Sequence, residues 1–497
     1  MKKLWALAAS LPLLLCVHCI KEKEILKESY KQKCMKNAVY DFNSTNPTTL
    51  EPKCATLFGH EYSDIKNFLK FDDQQMNYIL SLERAMMRTQ HRNNKRHKRQ
   101  AMMRPRQECR TLSDPDRNAL FGAIVTLKQP FSGMSRYNTL AAMHNLQAFG
   151  NAHNGPNFLG WHRVYLNMYE EALQEIRPGV ALCYWDSTLD YLMPGDSQRR
   201  TVAFSDELFG NGRGAVINSQ FANWRLSDNT PLRRMIGENN SSLTRPGIVD
   251  LILTDPRINR HRWIVNEGSR FNQSPRFGFI DPDSGMRHSW EREHDNTHVW
   301  VGGIMVNVER SPEDPVFWFH HLYIDYVWEL FRRKIDPMDR FDLRTDYPMD
   351  SVNEQHRAFQ TMAGFPAYRN IDGYHNFFRR MYAPHPRCSN NCGGSRFLRC
   401  PDIGPMGNPD RRCVSLAIDS DVVPAAAASP AAAMAGFGAS RAGFAAFGGP
   451  AAMASGGAAR VSLQATDEVA MRAAMSAPQT VVQGPNFTSS RADSRLL

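Results

Sequence analysis

The chain has 497 residues, of which 42% are hydrophobic and 22% charged, with a formal net charge of +10 at pH 7. Setting aside the compositionally biased ends leaves a core of about 300 residues, ample for a buried centre. Beyond the N-terminus no stretch is long and apolar enough to span a bilayer. The excess charge is concentrated in the run from His91 to Arg99, and neither nucleic acid nor a membrane is expected as a partner.

In chain order, Met1-Lys2-Lys3 followed by Leu4 to Cys19 has the charged start, apolar run and small-residue end of a secretory signal peptide. Residues 20–99 then read as a candidate propeptide. They end at Arg96-His97-Lys98-Arg99, which resembles the processing site of furin-like convertases, and they carry Cys34 and Cys54, which could pair within a released piece. The competing reading of the basic run is a solvated face or a polyanion-binding patch. From 100 to 420 the sequence has the character of an ordered domain. The run Tyr137 to Phe149 suits an amphipathic helix, and a stronger helical period runs from Leu159 through Val164, Leu166, Tyr169 and Leu173 to Ile176, stopped by Arg177-Pro178-Gly179. Between them, Gly150 to Pro156 is too rich in turn residues to be helical. Two further helices are expected around His294 and His321, giving a mainly α fold: a four-helix bundle with short strands and long loops.

Cysteine usage agrees with export. Outside the leader stand Cys34, Cys54, Cys109, Cys183, Cys388, Cys392, Cys400 and Cys413, an even number in loop-like sequence that reads as disulfides of undetermined connectivity. A zinc site at Cys388, Cys392, Cys400 and Cys413 is the alternative. Residues 421–497 form a tail dominated at first by Ala, Gly, Ser, Met and Phe, expected to be disordered or self-associating. Asn43, Asn239 or Asn240, and Asn486 lie in glycosylation sequons.

Six histidines in two clusters carry the chemistry. His144, His153 and His162 stand in one, and His294, His298 and His321 in the other. His294 and His298 are four apart, which places both rings on one face of a helix. Three neutral imidazoles suit a borderline metal such as copper, and two such sets suggest a pair of like ions and dioxygen chemistry. On this reading one ligand lies on a loop and five on helices that converge in the bundle. His320 is an alternative to His321, and His91 and His97 are rivals of His144. His261, His288, His356, His375 and His385 are read as ordinary surface or core residues.

The strings AHNGPNFLGWHRVYL and DPVFWFHHLYIDYVW, with Cys183-Tyr184-Trp185-Asp186 between them, resemble the two copper signatures of the tyrosinase family, the type-3 copper proteins that include catechol oxidases and molluscan haemocyanins. The likeness covers roughly Cys109 to Cys413. It implies two copper ions, the first on His144, His153 and His162 and the second on His294, His298 and His321. It also implies dioxygen as co-substrate and phenolic small molecules or protein tyrosines as reductants. Secreted tyrosinases of mollusc shell resemble the chain overall, tail composition included, so secretion and extracellular matrix partners are expected.

The resemblance places Phe317 and Val299 at the substrate pocket. Arg163 and Asp325, charged members of otherwise apolar helices, are expected to pair and tie the two copper helices together. Asp295 follows His294 where monophenol-hydroxylating relatives often have Asn, and Glu291 and Glu293 compete for the place of the family's glutamate. These three are the candidate proton acceptors. Asn151 stands where many relatives carry a cysteine bonded to a ligand histidine, so that thioether is not expected. The reading is therefore an oxidase of phenols or catechols, with an oxygen carrier and a structural matrix protein as its competitors.

Overall fold

A computed structural model describes residues 71–95, 104–131, 133–144, 151–239, 241–268, 275–401 and 412–418, with only the backbone given for 89–95. The expected leader, the Arg96 to Arg99 run, Cys34, Cys54 and the low-complexity tail all lie outside the described residues.

The architecture is mainly α. Among the described residues, seven α-helices of seven residues or more carry it: α1 (Asp73–Lys95), α2 (Asp114–Leu127), α3 (Arg136–Ala142), α4 (Asn157–Ile176), α5 (Pro246–Thr254), α6 (Trp290–Val301) and α7 (Val316–Ile335). Their starts are set by local chemistry. Ser113, Ser135 and Ser289 each accept a hydrogen bond from a backbone N–H of the first turn, at Asp116, Asn138 and Arg292 respectively. Helix α6 stops at Gly302, whose φ of 71° and ψ of −162° suit glycine alone. Among the described residues the strands form four separate antiparallel ribbons: β1–β2 (Arg213–Ala215 with Arg233–Met235), β3–β4 (Phe279–Ile280 with Arg287–His288), β5–β6 (Thr361–Met362 with Phe365–Arg369) and β7–β8 (Leu398–Arg399 with Val414–Ser415). None is broad enough to form a layer, so the core is made by helices and the loops laid over them.

Helix α4 is the hub. It is packed by α1, α2 and α7, while α7 is packed in turn by α5 and α6. Nearly every residue from Asn157 to Leu173 is buried, as is almost all of Val316 to Arg332, so both helices are enclosed on all sides rather than half-exposed. Helix α1 belongs to the same core: Phe71, Met76, Ile79, Leu82 and Met86 are buried within it, and the buried Glu83 accepts the backbone N–H of Ala367 at 3.0 Å. The folded unit thus includes residues that precede the basic run.

One helix differs from the expectation. The period from Tyr137 predicts a helix as far as Phe149, but α3 ends at Ala142, with the N–H groups of Met143 and His144 bonded three residues back to Leu140 and Ala141. This tightened last turn puts His144 just past the helix end, so two of the six histidines, not one, lie off helices.

Disulfides join Cys109 to Cys183, Cys388 to Cys400 and Cys392 to Cys413. The zinc reading of the last four falls, because their thiols are consumed in bonds to one another. No described helix is long and apolar enough to cross a membrane.

Candidate metal centre

The first histidine set is assembled from three segments: His144 from the end of α3, His153 from the loop before α4, and His162 from α4 itself. Ring centroids lie 4.7 Å apart for His144 and His153, 5.0 Å for His153 and His162, and 5.3 Å for His144 and His162. The Nε2 atoms of His144 and His162 are 3.1 Å apart. Their Nδ1 atoms face away and meet the carbonyls of Val308 at 2.7 Å and Phe158 at 2.8 Å. Hydrogen bonds of that kind fix the tautomer, leaving Nε2 with a lone pair turned inward.

The second set comes from two helices. His321 Nε2 on α7 is 2.9 Å from Nε2 of His294 and 3.0 Å from Nε2 of His298, both on α6. His298 Nδ1 meets the Met305 carbonyl at 2.9 Å, and His294 Nδ1 lies 3.0 Å from Asp295 Oδ1 and 3.2 Å from the Glu291 carbonyl. Two nitrogens each about 2 Å from one ion are about 3.3 Å apart at a tetrahedral angle, so the observed separations suit a shared ion. The donors of His294, His298 and His320 also cluster within 4.8 Å, which makes His320 a competitor. We favour His321, because its Nε2 converges on both partners whereas His320 Nε2 donates to the His294 carbonyl at 3.2 Å and its ring stacks on that of His294.

The two sets adjoin. The rings of His162 and His321 are stacked with centroids 4.5 Å apart. All six rings are buried. Burial holds His144, His153, His162, His294 and His321 well below the ordinary imidazole value, and neighbouring histidines add to the effect. Burial also lowers His298, opposed by the Met305 carbonyl and by Asp295 and Asp314. Six neutral imidazoles at neutral pH are the form a metal requires.

Around the histidines the sequence-derived candidates separate. Asp295, half-exposed, orients His294. Glu291 accepts the N–H of Asn154 at 2.5 Å and of Asn266 Nδ2 at 2.7 Å, linking α6 to the loop that carries His153. Glu293 is engaged elsewhere, by Arg245 at 2.7 Å and His288 at 2.9 Å. Burial raises its carboxyl, but those hydrogen bonds outweigh it and hold the group below its usual range. Phe317 is fully buried, stacked on His321 at 3.9 Å and edge-on to His144 at 5.0 Å. Val299 is 37% exposed on α6.

Arg163 Nε donates to Asp325 Oδ1 at 2.6 Å, joining α4 to α7. The pair sits in a larger buried network that the sequence did not disclose. Glu329 lies 3.3 Å from Arg163, Arg106 lies 3.5 Å from Asp325 and 2.9 Å from Glu170, and Tyr382 Oη donates to Asp325 Oδ2. Arg106 and Tyr382 come from distant stretches. The signals available in the sequence are Glu170, two helical turns after Arg163 on α4, and Glu329, one turn after Asp325 on α7. Asn157, Asn266 and His356 were also missed as supports of the site.

Two adjacent sets of three neutral imidazoles in a dry helical core define a centre suited to a pair of like metal ions. Residues 134–334 match the common central domain of tyrosinase. The chain is 58% identical to Tyrosinase-like protein 1 of Margaritifera margaritifera over 505 aligned positions, spanning 100% of this chain and 99% of that one. It is 41% identical over 336 positions to the Tyrosinase-like protein of Pinctada maxima (66% of this chain, 72% of that one) and 34% identical over 250 positions to the Tyrosinase of Streptomyces antibioticus (47% and 84%). The chain belongs to the tyrosinase family, whose members bind two copper ions and act on phenols with dioxygen.

Proposed function

We propose that this chain is a secreted dicopper oxidase that converts phenols or catechols to o-quinones, with His144, His153 and His162 holding one ion and His294, His298 and His321 the other. The observation that carries the reading is the convergence of Nε2 atoms within each set, combined with the stacking of His162 on His321 that brings the sets together. The ions supply dioxygen activation and two-electron oxidation of the phenolic ring. The protein fixes the tautomers of His144, His162, His294 and His298 through carbonyls behind the rings, keeps the centre buried, and offers Asp295 and Glu291 as proton acceptors beside it. Glu293 is the weaker candidate, because, despite burial, its hydrogen bonds from His288 and the Arg245 guanidinium hold it below its usual range, whereas Glu291 accepts from the amide N–H groups of Asn154 and Asn266.

Catechol oxidation is the favoured activity. Hydroxylating a monophenol further requires removal of its proton near the ions, and Asp295 accepts from His294 Nδ1 while its charge repels an approaching phenolate. Metal analysis followed by assays on a catechol and a monophenol tests the reading. Two coppers per chain and catechol turnover above monophenol turnover are expected. Two coppers without turnover of either substrate would favour a carrier or a matrix protein instead.

Secretion is supported by the leader-like N-terminus and by three disulfides, which persist in oxidising compartments. The product would serve cross-linking or pigmentation of an extracellular matrix such as shell. Cleavage after Arg99 would divide the chain, but α1 is packed into the core, so residues 71–95 would stay bound to a product beginning at Gln100. Native and denaturing analysis of the secreted protein distinguishes this outcome from simple release.

A further inference from the structure

His153 lies outside any helix, one residue past the helical Asn151 and Ala152 and short of α4. Its backbone is nevertheless held at several successive points. Asn151, buried, uses both ends of its amide: Oδ1 accepts from Asn157 Nδ2 at 2.8 Å and from the Ala363 N–H at 3.0 Å, and Nδ2 donates to the Gln355 carbonyl. Asn157 Nδ2 also reaches the Asn151 carbonyl at 2.9 Å. Two residues on, the His153 carbonyl accepts from Nε2 of the fully buried His356 at 2.8 Å.

The ring of His356 lies flat on the same loop at Gly155. A Cβ added there would come within 2.5 Å of the ring, so the approach requires glycine. The segment that supplies these contacts is itself tied down. Asn370 Nδ2 donates to the carbonyls of Gln355 at 2.7 Å and Arg357 at 2.9 Å, and Tyr347 Oη donates to the His356 carbonyl at 2.7 Å.

We propose that Asn151, on the His153 loop, and His356, on the 355–363 segment, are positioning residues that clasp the two segments together, presetting His153 toward His144 and His162. The inference rests on the copper reading above for its consequence, but its geometry stands without any ion. Where Asn151 excludes a covalent tether, a fixed set of hydrogen bonds holds the loop. Partners that orient a ligand in this way are commonly worth tenfold or more in metal affinity.

The test uses the full chain as the parent and as Asn151→Ser, His356→Phe and His356→Gln. Copper affinity is measured by competition with a chelator, and amide hydrogen exchange is followed in the metal-free proteins. The parent should bind two coppers. Asn151→Ser and His356→Phe should keep one copper at parental affinity and bind the other at least about tenfold more weakly. Exchange at residues 151–155 should quicken by about as much while residues 290–301 stay unchanged. His356→Gln retains an N–H donor and should bind both coppers within about threefold of the parent.

Fewer than two coppers on the parent would overturn the dinuclear reading and leave the exchange data to decide the clasp. Two coppers on the parent, with unchanged affinity and exchange in Asn151→Ser and His356→Phe, would overturn the clasp. So would equal losses in His356→Gln and His356→Phe. If His356→Phe fails to fold, Asn151→Ser decides the question alone.

Discussion

The two histidine sets reach similar local geometries by different means. His294, His298 and His321 sit on two long helices, and α6 and α7 aim them through helical periodicity and through packing on a shared core. His144 and His153 lie off helices, and only His162 is carried by one. The first set therefore depends on side-chain hydrogen bonds that hold its loop, made by Asn151, Asn157, His356 and Glu291, where the second depends on secondary structure. A regular element positions ligands as a by-product of folding, whereas a loop needs dedicated contacts.

The largest effect should come from removing one ligand from each set. His162→Ala and His298→Ala should each abolish oxidase activity, by more than about a hundredfold, because both ions must act together. Copper analysis sharpens the comparison: each variant should lose the ion of its own set first. Loss of the same ion in both variants would show that the sets are not separate sites.

Next comes the link between the helices. Breaking a buried pair costs up to about 3–5 kcal/mol, and Arg163 and Arg106 keep Glu329 and Glu170 as second partners, so Asp325→Asn should lower stability to urea by a part of that range. Both sets should suffer together, since Arg163 follows His162 on α4 and Asp325 follows His321 on α7. A loss confined to one copper would contradict the role of the pair as a tie between the two.

Much of this could be read from the sequence, and the reasons are specific. The spacing of His294 and His298, the apolar period that runs to Ile176 and the lone charges Arg163 and Asp325 each obey a local rule that survives folding. The apolar residues that continue to Phe149 predict a helix through His144, although the backbone tightens at Met143 and ends α3 first. His356 looked like an ordinary core histidine, and its contact with the His153 carbonyl spans 203 positions, a separation no local pattern encodes. Glu291 and Glu293 looked equivalent because the sequence hides Arg245 and His288, which draw one of them away.

A smaller effect is expected at Asp295, the half-exposed acid beside the second set. Asp295→Asn should raise the ratio of monophenol to catechol turnover several-fold, one pKa unit of relief being about 1.4 kcal/mol. An unchanged or lowered ratio, read from initial rates on a matched phenol and catechol, would move the proton acceptor to Glu291.

The smallest effect concerns a histidine outside both sets. Burial holds His261 below the ordinary imidazole value, although Asp346 at 2.7 Å opposes the shift. A depressed folded-state value means that the unfolded chain takes up the proton first. The stability His261 contributes is thus complete above about pH 6.5 and is lost as pH falls toward its folded value, at no more than about 1.4 kcal/mol per pH unit. In metal-free protein, His261→Gln should flatten the acid limb of stability by at most one proton. A steeper limb in the variant would reverse the sign.

The central claim is that the two sets together make one dinuclear copper centre. Its most direct measurement is the metal content of the purified full chain after copper loading and dialysis. Two coppers per chain should be retained together and lost together with catechol oxidation. One copper per chain, or zinc held in preference to copper, would contradict it.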